Sequence, residues 1–293
     1  MPQTTANGIT IEYEEFGDHG GRPLLLIMGL GAQMVLWHED WCRQLAARGH
    51  RVIRFDNRDV GKSTWMDQLG VPDMTAVMTA ALLRQPVKAP YLLRDMAADA
   101  VGLLSALGIE SAHIVGASMG GMIAQSVAIE FPARVRTLTS IMSSTGNPNL
   151  PPPQPNAMSA LLAPPPTTRD ESIERGVTVF RAIGSPGFPF NEAEIRERAA
   201  LSFDRGLNAA GVIRQMAAIF ASGSRSEALR AVRVPTLVIH GKDDPLVPLA
   251  GGEDTAAAIP RAELMVIDGM GHDMPRQVWA RMIEAISALT ARA

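Results

Sequence analysis

The sequence predicts an α/β fold: a mostly parallel central sheet, helices on both faces, and a helical cap. Three observations predict it. Strand-like and helix-like patterns alternate along the 293 residues. Some strand-like runs, Pro23–Met28 among them, are short and apolar, as in strands buried on both faces. One of them, Ala112-His113-Ile114-Val115, passes through Gly116-Ala117-Ser118-Met119-Gly120-Gly121 straight into a helical pattern.

Ile9–Phe16 alternates apolar and polar residues and reads as an edge strand. Pro23–Met28 reads as a buried strand ending at Gly29. Trp37–Arg48 reads as a helix stopped by Gly49, with His50–Asp56 as the next strand. Tyr91–Leu107 spaces Leu92, Met96, Leu103, Leu104 and Leu107 as a helix does, before Gly108. The strand entering Ser118 follows, and its helix runs to Phe131, where Pro132 halts it. Thr137–Met142, Pro235–His240 and Glu263–Asp268 read as strands, and Pro275–Leu289 as a closing helix. Repeated units of this length predict helices packed on both faces of the sheet.

Two stretches break this rhythm. Thr64–Pro90 is a long connection with apolar spacing of its own. Ser143–Arg225 turns helical and irregular, opening with eight prolines between Pro148 and Pro166. A long insertion between core strands is more often functional than idle. The expected division is therefore a core of residues 1–142 and 226–293 and a helical cap of residues 143–225 over the carboxyl edge of the sheet, where α/β ligands bind.

Composition narrows the function. The net charge of −3 and a pI near 6.1 give no electrostatic reason to expect nucleic acid or an anionic membrane as partner. The single cysteine, Cys42, forms no internal disulfide and reads as core. The first fifteen residues lack the apolar centre of a signal peptide, and no run approaches a membrane span. A cytoplasmic protein is expected; oligomeric state is not legible.

Ser118 sits where a sharp strand-to-helix turn lifts a hydroxyl clear of the backbone. A serine alcohol needs a base to take its proton. Of the six histidines, His113 and His240 fall in strands, His50 begins one, and His19 lies in a glycine-rich turn. His38 has no second histidine at helical spacing to make a metal site. His272 lies in Asp268-Gly269-Met270-Gly271-His272-Asp273, just past the last strand, and is the candidate base. Its tautomer needs a carboxylate to fix it. The turn Gly241-Lys242-Asp243-Asp244-Pro245 offers two; Asp273, adjacent to His272, is poorly placed to reach Nδ1. The Met119 amide and the Leu30 amide, in Gly29-Leu30-Gly31, are the expected oxyanion donors. Gly61-Lys62-Ser63-Thr64 lacks the earlier glycine of a phosphate loop, Asp56 standing there. The Gly29-Leu30-Gly31 loop lacks the third glycine of a dinucleotide loop, Met34 standing there.

Taken together, these residues resemble the α/β-hydrolase family, and within it cap-bearing bacterial esterases of the aclacinomycin methylesterase type. The resembling stretches are Leu24–Gly29, Phe55–Ser63, Gly116–Gly120 and Gly269–His272. Met28-Gly29 replaces the common His-Gly before the oxyanion loop, as in the methylesterase group. The resemblance implies a triad of Ser118, Asp244 and His272, with Asp244 chosen over Asp243 by its place before Pro245. It also implies a serine carboxylesterase that forms an acyl-enzyme and needs no cofactor or metal. Lactone or carbon–carbon bond hydrolysis on the same triad is the alternative, and a non-catalytic ligand binder is the alternative from another class. Apolar residues of the two irregular stretches, among them Met74, Met78, Leu82, Phe180, Met216 and Phe220, are expected to line a pocket for a neutral, apolar small-molecule ester.

Overall fold

Apolar residues dominate the inner strands Arg22–Ile27 and Ala112–Ala117, whose inner positions are buried on both faces. The computed structural model describes residues 1–293. Its strands are β1 (Gln3–Ala6), β2 (Ile9–Phe16), β3 (Arg22–Ile27), β4 (His50–Phe55), β5 (Ala112–Ala117), β6 (Val135–Ile141), β7 (Thr236–Gly241) and β8 (Glu263–Ile267). They form one sheet in the order β1-β2-β4-β3-β5-β6-β7-β8. β2 runs antiparallel to β1 and β4, and all other pairs are parallel. The register Leu24↔His113 to Ile27↔Gly116 sets the chain leaving β3 beside the chain leaving β5.

Helices α1 (Glu39–Ala46), α2 (Met74–Leu82), α3 (Leu93–Ala106) and α4 (Met119–Glu130) precede β6. Between β6 and β7 lie α5 (Pro155–Leu162), α6 (Arg169–Ile183), α7 (Glu192–Arg205), α8 (Ala209–Ser222) and the short α9 (Ser226–Leu229). α10 (Leu249–Ala258) and α11 (Arg276–Thr290) complete the chain. The period-two alternation of the strands divides the core. Leu25, Ile27 and Ile114 pack with α3 and α4 on one face, while Leu24, Leu26 and Val115 pack with α1 and α11 on the other.

Several elements differ from expectation. β1 pairs with β2 although its four residues carry only one buried side chain. The helix expected at Trp37–Arg48 begins at Glu39, because His38 caps it by accepting the Asp40 amide on its ring nitrogen. A separate 3₁₀ turn occupies Met34–Leu36. Tyr91 lies outside α3 and donates its hydroxyl to Asp59 at 2.7 Å. α10 went unread because Gly251 and Gly252 depress helix propensity. Packing requires the second of them: a Cβ on Gly252 would run into the His240 ring.

The segment between β6 and β7 is fastened to the sheet by buried arginines. Arg214 of α8 grips Asp59 through two nitrogens, at 2.6 and 2.9 Å, with both side chains fully buried. Arg205, at the end of α7, pairs with Asp56 and with Glu12 at 2.8 Å. The Phe55–Ser63 stretch is thus the seat of the inserted helices as well as a turn.

Candidate active site

β5 delivers Ser118 at φ 57° and ψ −123°, a conformation disfavoured for any residue with a Cβ and held only because its surroundings over-determine it. The Ser118 amide bonds the Ile141 carbonyl at 2.9 Å, and its carbonyl accepts the Gly121 amide at 2.9 Å. The flanking glycines are dictated by contact. A Cβ on Gly116 would strike the Gly120 carbonyl, and one on Gly120 would strike the Ile27 carbonyl.

His272 rides on the loop after β8. Its amide donates to the Ile183 carbonyl at 2.7 Å, and the Gly271 amide donates to the Ser185 hydroxyl at 2.9 Å, so the inserted segment holds the loop. His272 Nε2 lies 3.0 Å from Ser118 Oγ, and Nδ1 lies 2.7 Å from Asp244 Oδ2. Asp244 Oδ1 accepts the Leu246 and Val247 amides at 2.9 and 2.8 Å, an Asx-type turn that aims the other oxygen at the imidazole. With Nδ1–H donated to the carboxylate, Nε2 faces the serine as an acceptor. Asp243 turns away to take the Gly269 amide at 2.8 Å. Asp273 accepts the Ser185 hydroxyl and makes no hydrogen bond to the His272 ring.

The Gly29-Leu30-Gly31 loop lies against the serine: a Cβ on Gly29 would come within 3.1 Å of the Ser118 Cβ. Beyond it, the Gly31 amide donates to Gln215 Oε1 at 2.8 Å and the Ala32 amide to the Gly29 carbonyl at 3.2 Å. The Leu30 amide has no acceptor in the protein. The Met119 amide opens α4, where no carbonyl one turn back within the helix can accept it.

These groups open onto a cavity of about 1210 Å³. Its walls come from the Gly29-Leu30-Gly31 loop, from α5 to α8 and from the start of α11, and they are largely apolar, with Met74, Phe180, Met216 and Phe220 among them. Met78 and Leu82, expected in this lining, stand on the outer face of α2 at 42 % and 83 % exposure. α2 shows the cavity only its first residue, Met74.

The other histidines are placed as their strands dictate. His113 and His50, at the amino ends of the interior strands β5 and β4, are buried, with ring centroids 6.4 Å apart. His240 Nε2 donates its proton to the Val247 carbonyl, beside the Asp244 turn, at 2.8 Å. His19 is exposed, and His38 sits at the cavity wall against Trp279. Cys42 is buried, and burial pushes its thiol up to about 12. No cluster of three or more His, Cys, Asp or Glu side chains has metal-holding geometry, and no helix is long and apolar enough to cross a membrane.

Motif reading missed Gln215, Arg205 and Arg214. The available signal was the pair Arg214-Gln215 in the middle of the otherwise apolar Ala209–Ser222.

Residues 22–275 match the family model described as alpha/beta hydrolase fold. The chain belongs to that family. It is 31 % identical to rhodomycin D methylesterase of Streptomyces peucetius over 309 residues, covering 99 % of this chain and 97 % of that one. It is 30 % identical to the 2-hydroxymuconate semialdehyde hydrolase of Pseudomonas sp. strain CF600, covering 98 % and 93 %. Among solved structures, a meta-cleavage product hydrolase from Pseudomonas fluorescens IP01 superposes with a TM-score of 0.76 at 22 % identity, covering 100 % of this chain and 98 % of that chain, a likeness of fold. This α/β-hydrolase is a carboxylic ester hydrolase of the serine type.

Proposed function

We propose that Ser118, His272 and Asp244 hydrolyse a neutral, largely apolar ester through an acyl-enzyme. The observation that carries this reading is the unbroken chain from Ser118 Oγ to His272 Nε2 at 3.0 Å and from Nδ1 to Asp244 at 2.7 Å, facing an apolar cavity. His272 takes the serine proton as Oγ bonds to the acyl carbon. The Leu30 and Met119 amides hold the oxyanion. His272 then protonates the departing alcohol oxygen. Water repeats the sequence, giving its proton to His272 and releasing the acid.

Residues 143–225 act as a cap in this reading, with 1–142 and 226–293 as the core. The cavity exceeds what a short acyl chain fills, which favours a bulky substrate. A methyl ester of such an acyl group follows the naming of the Streptomyces relative.

Pre-steady-state assay with p-nitrophenyl butyrate tests the chemistry. A burst of p-nitrophenol equal to the enzyme concentration, absent in Ser118→Ala, is the expected result. A linear trace unaffected by that change overturns the role of Ser118. Carbon–carbon or lactone hydrolysis on this triad would appear as turnover of those substrates exceeding that of esters.

A further inference from the structure

The loop that carries His272 is held by two different parts of the chain. Gly269 stands at φ 74°, and with Gly271 it gives the loop a freedom that its own backbone does not restrict. The acid turn fixes the first half. Asp243 takes the Gly269 amide at 2.8 Å and gives its own amide to the Met270 carbonyl at 3.0 Å. The second half is fixed by the inserted segment, where α6 ends. The Ile183 carbonyl accepts the His272 amide at 2.7 Å. The Ser185 hydroxyl accepts the Gly271 amide at 2.9 Å and donates to the Asp273 carboxylate. One hydroxyl therefore bonds the residue before the base and the residue after it. The two segments also touch directly. The Gly187 amide donates to the Gly269 carbonyl at 2.9 Å, and a Cβ on Gly271 would fall 2.4 Å from the Gly184 carbonyl oxygen.

We propose that Ser185 is a positioning residue for His272, clamping Gly271 and Asp273 so that the imidazole stands between Ser118 and Asp244. The proposal rests on the use of His272 as base in the ester-hydrolase reading, and adds Ser185 and Asp273 to the groups that reading needs. The ring is bonded through its nitrogens, at 3.0 Å to Ser118 and 2.7 Å to Asp244. Those bonds fix its tautomer; the loop backbone fixes where its Cα lies. Ser185 uses its proton on one neighbour of the base and a lone pair on the other, so a single side chain sets the backbone on both sides. A catalytic group displaced by about 1 Å can cost up to about 10² in rate. The same inserted segment thus walls the cavity and aims the base.

The test uses three variants. Ser185→Ala removes both bonds of the clamp, Asp273→Ala removes one, and Ser185→Thr keeps the hydroxyl. Two rates are read: kcat and KM for p-nitrophenyl butyrate, and the second-order rate at which a fluorophosphonate labels Ser118, which needs the base and no particular acyl group. Both are expressed per mole of protein labelled at the end point, so an unfolded fraction does not count. Ser185→Ala should lose about tenfold to a hundredfold in kcat and in labelling rate, with KM within about twofold of the wild type. Ser185→Thr should recover most of both. Asp273→Ala should lose comparably, and the double alanine variant should be no slower than the slower single one, because either change opens the same clamp. Wild-type labelling in Ser185→Ala overturns the proposal. So does a raised KM at unchanged kcat, which would make Ser185, a cavity-lining residue, a substrate contact. Losses that add in the double variant, or no recovery in Ser185→Thr, overturn it too. Labelling of Ser118 without turnover of any ester would sink the ester-hydrolase reading alone, and the labelling rates would still read the clamp.

Discussion

Asp244 and Asp243 are neighbours whose carboxylates serve different loops: Asp244 meets His272 Nδ1 at 2.7 Å, while Asp243 caps the Gly269 amide at 2.8 Å. The proline after Asp244 holds it extended, and the Leu246 and Val247 amides take its second oxygen. Asp244→Asn should therefore lower kcat by roughly 10²–10⁴-fold, through loss of tautomer control and of imidazolium stabilisation. Asp243→Asn should change kcat by less than about threefold, since it loosens a loop contact alone. Steady-state kinetics on p-nitrophenyl butyrate separates the two, and the reverse ranking would move the acid to Asp243.

The Ser118 backbone gives a prediction independent of catalysis. At φ 57° and ψ −123° any Cβ is strained, and glycine is not. Ser118→Ala and Ser118→Gly should both lose roughly 10⁴-fold or more in kcat. Ser118→Gly should in addition be more stable than Ser118→Ala by about 1 kcal/mol, the strain relieved outweighing the added freedom of the unfolded chain. Urea unfolding of the two inactive proteins checks this; equal midpoints would show that the turn carries no such strain.

The legible parts of this molecule are those whose cause is local. Buried parallel strands such as β3 declare themselves by short apolar runs, and Ser118 and His272 by glycines that the turns around them require. The choice between Asp243 and Asp244 lies in the direction of a side chain, set by contacts with loops 26 and 28 residues away. Arg205, Arg214 and Gln215 are still further from being readable. Their partners lie about 150 residues earlier, and no spacing rule links α7 or α8 to the Asp56–Asp59 turn. Met78 and Leu82 misled for a related reason: an apolar helix spacing shows that a face exists, and not which neighbour covers it.

His113 ties stability to pH. It is fully buried, its Nδ1 faces the Thr137 hydroxyl at 2.9 Å, and its Nε2 has no partner. Burial, and then the neighbouring His50, push its imidazole down to about 4. Below pH 6.5 the unfolded chain takes up a proton that the folded one refuses, so stability falls as pH drops from about 6.5 to about 4 and levels off beneath. The expected loss from this group is on the order of 2–3 kcal/mol. Urea midpoints at pH 7.5 and pH 5 should converge in His113→Gln relative to the wild type. An unchanged difference between the two pH values would place the acid sensitivity elsewhere.

Gln215 links the inserted helices to the Gly29-Leu30-Gly31 loop, the proposed source of an oxyanion donor. It is fully buried, accepts the Gly31 amide at 2.8 Å through Oε1, and donates to the Arg58 carbonyl at 2.8 Å through Nε2. Gly31 stands at φ 63°, with Val212 of the same helix filling the space where a Cβ would lie. α8 thus fixes the peptide next to Leu30, whose own amide has no acceptor in the protein. Gln215→Met keeps the volume and removes both bonds. The Gly31 amide is then unpaired, and the loop is free to rotate its donor away from the developing charge. Removing one oxyanion donor outright costs about 10²–10³ in kcat. Misaiming it should cost about tenfold or more, with KM nearly unchanged, since the interaction is made in the transition state. Gln215→Glu retains the acceptor for Gly31 and should recover part of kcat, which a purely structural role would not predict. A Gln215→Met enzyme with wild-type kcat and a raised KM would assign this residue to substrate binding and leave the oxyanion loop to stand without it.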